Sequence, residues 1–264
     1  MSDEIFSRKR RHLARARARQ PIGDSGWLLD RMAEDLTDRL GFLTHETQTA
    51  LVIGHGAVQL RAALPDAATI TQCDLVAGPD VDIVADEDRL PFEPARFDLV
   101  LACGTLDSID DLPGALILIR RALRPGGLFL GAMLGAGSLA QFRQIVQRAD
   151  IDAGAAAGMR FHPQIEVRSA GDLLFRAGFS TPVADQDMIH VSYSSLARLR
   201  EDLSGAGARS ALQQTPPLTR ASYDLIRKAF EDAPLSEQFA PIFLTGWCPV
   251  AGEKRPAGPV KTPR

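Results

Sequence analysis

From Thr49 to Leu134 short apolar runs alternate with stretches of helical spacing, and this cadence limits the fold more than any other feature. Ala50 to Ile53 reads as a buried strand ending in Gly54-His55-Gly56, followed by a helix over Val58 to Leu64. Strands are predicted at Thr69 to Leu75, Val81 to Val84 and Phe97 to Cys103. A helix at Leu112 to Leu123, closed by Pro125-Gly126-Gly127, leads into a fifth strand at Leu128 to Leu134. Strand, helix, strand in this order predicts a doubly wound parallel sheet with right-handed crossovers and helices on both faces.

The flanks read as mostly helical. Residues 5–19 are rich in Ala and Arg and contain no breaker before Pro21. A second helix at about 24–40 takes Asp24 or Ser25 as its cap and aligns Leu28, Leu29, Met32, Leu36 and Leu40. After the sheet, helices are expected at Ser138 to Ala149, Ser169 to Ala177, Ser194 to Leu203 and Leu218 to Phe230. Strands are expected at Val183 to Val191 and Pro241 to Pro249. The division that follows is 1–43 as a helical lid, 44–250 as the sheet domain with a helical insertion at about 192–235, and 251–264 as a disordered tail.

Charge is distributed unevenly. The net charge is −3 over 264 residues. Seven basic residues against Asp3 and Glu4 give the first 20 residues +5, the tail from Glu253 holds +3, and the body between carries −11. Such a body repels a phosphate backbone, so duplex nucleic acid is not an expected partner. The basic head would meet RNA, an acidic carrier or the protein's own acidic body, and a solvated or self-docked helix is the preferred reading. No apolar run approaches the roughly 18 residues of a membrane span. Cys73, Cys103 and Cys248 are odd in number and lack metal spacing. They read as core residues, no metal site is expected, and a reducing, cytoplasmic compartment follows, with the mitochondrial matrix as alternative.

Chemistry in an open parallel sheet belongs at the carboxyl ends of the strands, where strand order reverses. Those ends carry Gly54, His55 and Gly56, then Asp74, then Asp86 and Glu87, then Cys103 to Leu106. Glycines let backbone amides approach a carboxylate. An acid closing the second strand can accept both ribose hydroxyls, and one beyond the third can accept from an adenine amino group. A nucleoside ligand is therefore expected. Gly-His-Gly-Ala-Val-Gln from Gly54 lacks the third small residue of a dinucleotide fingerprint, which disfavours a dehydrogenase.

Asp86 followed by Leu90-Pro91-Phe92, then Phe97-Asp98-Leu99-Val100, then Leu123-Arg124-Pro125-Gly126-Gly127 resembles the class I S-adenosylmethionine-dependent methyltransferases. Ile5-Phe6-Ser7-Arg8, Ala18-Arg19-Gln20-Pro21, Gly131-Ala132-Met133, Arg176-Ala177-Gly178-Phe179 and Gly246-Trp247 resemble one branch more closely. It holds a mitochondrial complex I assembly factor and the malonyl-carrier-protein methyltransferase of biotin synthesis. The resemblance implies a Rossmann-like, seven-stranded, mostly parallel sheet with an antiparallel last strand at Ile242 to Trp247, and S-adenosylmethionine as cofactor. It implies that Gly54 and Gly56 line the methionine end, Asp74 binds ribose, Asp86 and Glu87 flank adenine, and Cys103, Gly104 and their followers face the sulfonium. His55 would contact the cofactor carboxylate or simply fill the loop.

Three departures stand out. Val52 replaces the acid that usually precedes the glycine loop, Val58 replaces its third glycine and is expected to narrow it, and Leu106-Asp107-Ser108 replaces a His-Trp pair. Losing the acid would weaken the hold on the cofactor ammonium by about 1.5–3 kcal/mol. For an acceptor with a proton to lose, Asp107 and His162 are the weak candidates for the base; Asp110, Asp111 and His190 read as structural. The function expected is methyl transfer to a small-molecule, carrier-bound or protein acceptor. The alternatives are a catalytically silent assembly factor with a respiratory-complex partner and, more distantly, an arginine hydroxylase, for which the sequence shows no 2-His-1-carboxylate spacing.

Overall fold

The computed structural model describes residues 4–156, 158–250 and 252. The tail expected at 251–264 falls outside them, Gly252 aside. Strand β1 (Thr49–Gly54) is flanked in parallel by β2 (Thr69–Asp74) and β4 (Phe97–Cys103). Beyond them lie β3 (Ile83–Val84) and β5 (Leu123–Leu134), also parallel. The last strand of the chain, β9 (Pro241–Trp247), inserts antiparallel between β5 and β6 (Ser180–Gln186). The seven-stranded order is thus β3-β2-β1-β4-β5-β9-β6. It reverses between β1 and β4, where Gly54 lies beside Cys103.

Both faces of the sheet are covered at its centre, which is why β1 and β4 are almost wholly apolar. Ala50 and Val52 of β1 pack with helices α2 (Trp27–Gly41) and α5 (Ala140–Asp152). The same cluster takes in α7 (Leu196–Gly205) and α8 (Arg220–Asp232). Leu51 and Ile53 face the other way, onto α4 (Leu112–Ala122) and α6 (Val167–Ala177). The short α3 (Ala57–Ala63) follows the glycine loop and buries Leu60.

The strand expected at Val183 to Val191 is two strands. Its first part is β6 of the main sheet; its second, β7 (Ile189–Tyr193), pairs with β8 (Leu235–Phe239) in a separate ribbon. The break falls at Asp187, whose carboxylate accepts from the Met188 amide at 2.8 Å, a local turn that competes with the ladder. No element was expected at β8, because its five residues include Ser236, Glu237 and Gln238. Strand β5 begins at Leu123, ahead of the expected Leu128, with Pro125-Gly126-Gly127 absorbed as an irregularity in its pairing with β4.

Helix α1 (Arg8–Ala18) lies against the acidic carboxyl edge of the sheet. Its lead-in is pinned on two sides. The Asp110 carboxylate accepts from the amides of Ile5 and Phe6 at 2.7 and 3.1 Å, while Ser7 donates to the Ala211 carbonyl and Gln213 to that of Ile5. The Asp111 carboxylate caps α4 through the Gly114 amide at 2.8 Å.

Candidate active site

The glycine loop turns sharply between β1 and α3. Gly54 has φ +82°, and a Cβ there would sit 2.5 Å from the Cys103 carbonyl oxygen. Gly56, at φ +112°, would meet Ala33 of α2 and Leu101 of β4 at 3.2 Å. Only glycine suits either place. Val58, expected to narrow the loop, does not: its side chain is 80% exposed and points to solvent from the start of α3. Val52 is fully buried under α2.

The structure supplies a carboxylate at this loop from elsewhere. Asp30, on the first turn of α2, accepts from Gln59 at 3.0 Å and lies 2.8 Å from His55 Nε2. Its side chain stays half exposed. The sequence pattern placed Asp30 on a helix but gave no sign that α2 would cross the glycine loop. Burial lowers the His55 pKa and Asp30 opposes that shift. Leu29 of α2 covers Gly104, leaving no room for a Cβ there. Cys103 is buried, and burial pushes its thiol up to about 12, so it is no nucleophile at neutral pH.

The three acids expected to hold a nucleoside come together, and α1 occupies them all. Arg15 donates from Nε to both Asp74 oxygens at 3.0 Å and from Nη2 to Oδ2 at 2.7 Å. Arg19 adds a bond to Asp74 Oδ2 at 2.9 Å and an ion pair to Asp80. Arg11 reaches Glu87 at 2.7 Å, and Arg8 holds Asp86 at 2.6 Å and Asp88 at 2.7 Å. His12 lies 3.0 Å from Asp86. Burial raises the Glu87 pKa against the pull of Arg11, whereas His12 and Arg8 bring Asp86 below its ordinary range. Arg8, Arg11, Arg15 and Arg19 follow helical spacing and so share one face. That periodicity is the sequence signal for the docking.

A cavity of about 510 Å³ opens beside this cleft, between Asp107 and Leu134 and the helices α5, α7 and α8. Leu139, Phe142, Val146, Leu196, Leu203 and Ile226 make its walls largely apolar. Arg143, Arg160, Arg200 and Arg209 also line it. Arg160 is paired with Asp150. Arg143 and Arg209 have no carboxylate partner among the described residues; Arg143 stacks on Phe161 at 4.8 Å and leaves its Nε buried without a hydrogen bond. Burial lowers the pKa of both arginines.

The two candidate bases differ in freedom. His162 is pushed down to about 4 by burial and by the charges of Arg143 and Arg11. Its Nε2 already accepts from the Ala211 amide at 2.8 Å, and its ring packs edge-on against Phe6. It therefore ties a loop to the N-terminal segment. Asp107 is pushed up to about 6 by burial and faces the cavity. Asp110 and Asp111 are spent on backbone amides, as described, and His190 is exposed on β7. Among the described residues no group of three His, Cys, Asp or Glu side chains is placed to hold a metal, and no helix is long and apolar enough to cross a membrane.

Residues 51–131 match the family described as "Methyltransferase domain". The mouse (Mus musculus) protein named arginine-hydroxylase NDUFAF5, mitochondrial, is 31% identical over 276 residues, covering 97% of this chain and 79% of its own. The chain belongs to the class I S-adenosylmethionine-dependent methyltransferase family. The zebrafish (Danio rerio) protein of the same name is 32% identical over 66% of this chain, a match that spans 57% of its own length. A malonyl-[acyl-carrier protein] O-methyltransferase of Xylella fastidiosa is 32% identical over 64% of this chain and 58% of its own. Among solved structures, a Bacillus halodurans protein assigned as a candidate methyltransferase shares the fold with a TM-score of 0.53 at 14% identity, covering 82% of this chain and 99% of that one.

The family's methyl donor is S-adenosylmethionine, and the donor set here fits it. Asp74, Asp86 and Glu87 are pure acceptors matched to the hydroxyls and amino group of a nucleoside. Gly54 packs too closely against Cys103 and Thr105 for any Cβ, and Asp30 brings a carboxylate, the group that would suit a cofactor ammonium, to the same loop.

Proposed function

We propose that this methyltransferase transfers its methyl group to the carboxylate of a carrier-delivered acyl group seated in the cavity of about 510 Å³. The observation that supports this most is that Arg143 and Arg209, both partly withdrawn from solvent, line a largely apolar chamber beside the cleft with no carboxylate partner among the described residues. A desolvated guanidinium attracts a carboxylate strongly and in a fixed geometry. The Xylella relative, named for malonyl on a carrier protein, is in keeping with such an acceptor.

When bound, the cofactor supplies a methyl carbon already activated by its sulfonium. Asp74, Asp86 and Glu87 would hold its nucleoside, and the glycine loop with Asp30 its methionine end. Arg143 orients the acceptor carboxylate, and the apolar walls exclude water from it. Attack by a carboxylate needs no base. For an acceptor with a proton to lose, Asp107 is the residue that can take it, since the ring nitrogen Nε2 of His162 is engaged.

Labelled S-adenosylmethionine is to be incubated with malonyl-carrier protein and with a matched acetyl-carrier protein. Base-labile label on the malonyl form alone is expected, and Arg143→Gln should lower kcat/KM about hundredfold through lost charge pairing. Equal label on both carriers, or none on either, would remove the acyl-carboxylate reading.

A second reading has its own support: α1 holds the cofactor's acids, as an assembly factor that had lost turnover could permit. Its compartment would be the mitochondrial matrix and its partner a respiratory-complex subunit; the methyltransferase reading goes with the cytoplasm. Arginine hydroxylation ranks third, because a substrate guanidinium would meet like charge from Arg143, Arg200 and Arg209.

A further inference from the structure

The side chain of Asp74 has no exposed surface, and that of Arg15 is 4% exposed. Both Asp74 oxygens accept from Arg15, and Oδ2 from Arg19 as well. A ribose cannot reach this carboxylate while the arginines are there. We propose that α1 is a built-in competitor for the nucleoside site: helix and cofactor exclude each other at Asp74, and Arg15 and Arg19 must leave for the cofactor to enter. This rests on the cofactor reading above.

The balance is suited to exchange. Helix α1 buries Ala14, Ala18 and the paired Arg11 and Arg15 but no large apolar side chain of its own, so ion pairs are what hold it. A buried ion pair contributes little net stability, because the cost of desolvating both charges offsets their attraction, whereas leaving one partner unpaired is costly. A nucleoside supplies hydroxyl and amino donors in place of the guanidiniums at Asp74, Asp86 and Glu87, while Asp80 and Asp88 lose their arginines to solvent. The freed arginines, all on one face, return to water. Between α1 and α2 the chain passes through Gly23 at φ +57°, with nothing within 4 Å of the place a Cβ would take. That position can change conformation without a clash.

The exchange also reaches the acceptor cavity. The lead-in to α1 is bonded to Ala211 and Gln213, and the neighbouring Arg209, Ser210 and Thr215 line the cavity. Moving α1 therefore pulls on the cavity wall, coupling cofactor entry to acceptor access. Affinity for the cofactor is lowered by the fraction of molecules in which the helix is docked.

The test combines calorimetric titration of S-adenosylhomocysteine with limited trypsinolysis, for which the seven basic residues of the head are the targets. In the wild type, saturating S-adenosylhomocysteine should speed cleavage after Arg11 and Arg15, buried in the docked helix. Arg15→Ala/Arg19→Ala should bind it at least about tenfold more tightly than wild type, as expected when a competing state is removed. Wild-type binding with slower cleavage of α1 would overturn the proposal and make the helix a lid that closes over the cofactor, whatever the fate of the double variant. Wild-type binding with no gain in the double variant would also overturn it, leaving the cofactor reading intact. Absence of binding in both proteins would overturn both readings together.

Discussion

Asp107 and His162 are both polar residues at one cavity, yet burial drives them in opposite directions. Asp107 is pushed up to about 6 and His162 down to about 4, so each favours its neutral form near pH 5. For Asp107 the consequence for stability has a definite sign. Below about pH 4 the group is protonated in both folded and unfolded chains and contributes nothing. As pH rises toward 6 the unfolded chain releases the proton while the folded one keeps it, so stability is lost across that window. Asp107→Asn is neutral throughout. It should match the wild type near pH 4 and exceed it by about 2 kcal/mol at pH 7, after allowing for the partial exposure of the site. Urea unfolding at the two pH values measures this. A stability difference between the two proteins that does not change with pH would show that Asp107 is solvated like an ordinary surface carboxylate.

At the scale of elements, helix α5 shows how a short polar strand becomes indispensable. The residue before it, Leu139, has φ +59° and no side-chain oxygen to cap the first turn. Glu237 of β8 does so from the β7–β8 ribbon: it is 2% exposed and accepts from the Phe142 amide at 2.6 Å and the Gln141 amide at 3.4 Å. A carboxylate at a helix N-terminus is favoured by the exposed amides and the helix dipole. Glu237→Ala should therefore cost about 1–3 kcal/mol, read as a lower urea midpoint with unchanged slope, and Glu237→Gln should recover part of it. An unshifted midpoint in the alanine variant would mean that water satisfies those amides. The same strand marks the limit of what the sequence disclosed. Strands β1, β4 and β5 are apolar enough to be read directly, and the acids at strand ends followed from their positions in the cadence. Strand β8 was invisible because its reason for existing is a cap on a distant helix. Asp30 was missed likewise, since its role depends on how α2 crosses the glycine loop. Val58 misled because a position in a motif does not say which way the side chain points. The arginine spacing in α1 was legible as a helical face, but the acids it would meet lie 55 to 80 residues further along the chain.

For the molecule as a whole, the question is whether the helices over the cleft are a separable lid. Their packing argues that they are not. Leu28, Met32 and Leu36 of α2, Leu199 and Leu203 of α7, and Ile226 and Phe230 of α8 belong to one apolar cluster with Val52, Leu101 and Leu130 of the sheet. Asp202 joins these parts by polar bonds. It is 3% exposed, accepts from the indole of Trp27 at 2.8 Å and the hydroxyl of Tyr193 at 2.9 Å, and pairs with Arg198 at 3.0 Å. It thus ties α2, β7 and α7 at a single carboxylate. Removing it strands the buried Tyr193 hydroxyl and the half-buried Trp27 indole, so Asp202→Ala should lose about 2–4 kcal/mol. Because the core is shared, the loss should fall on the whole fold. Tryptophan fluorescence, with Trp27 at the network and Trp247 on β9, should shift together with far-ultraviolet circular dichroism in one transition. If the fluorescence transition instead moves ahead of the dichroism in the variant, the helices over the cleft melt as a unit of their own. Such a split would support a division of the chain into lid and sheet domain on energetic grounds.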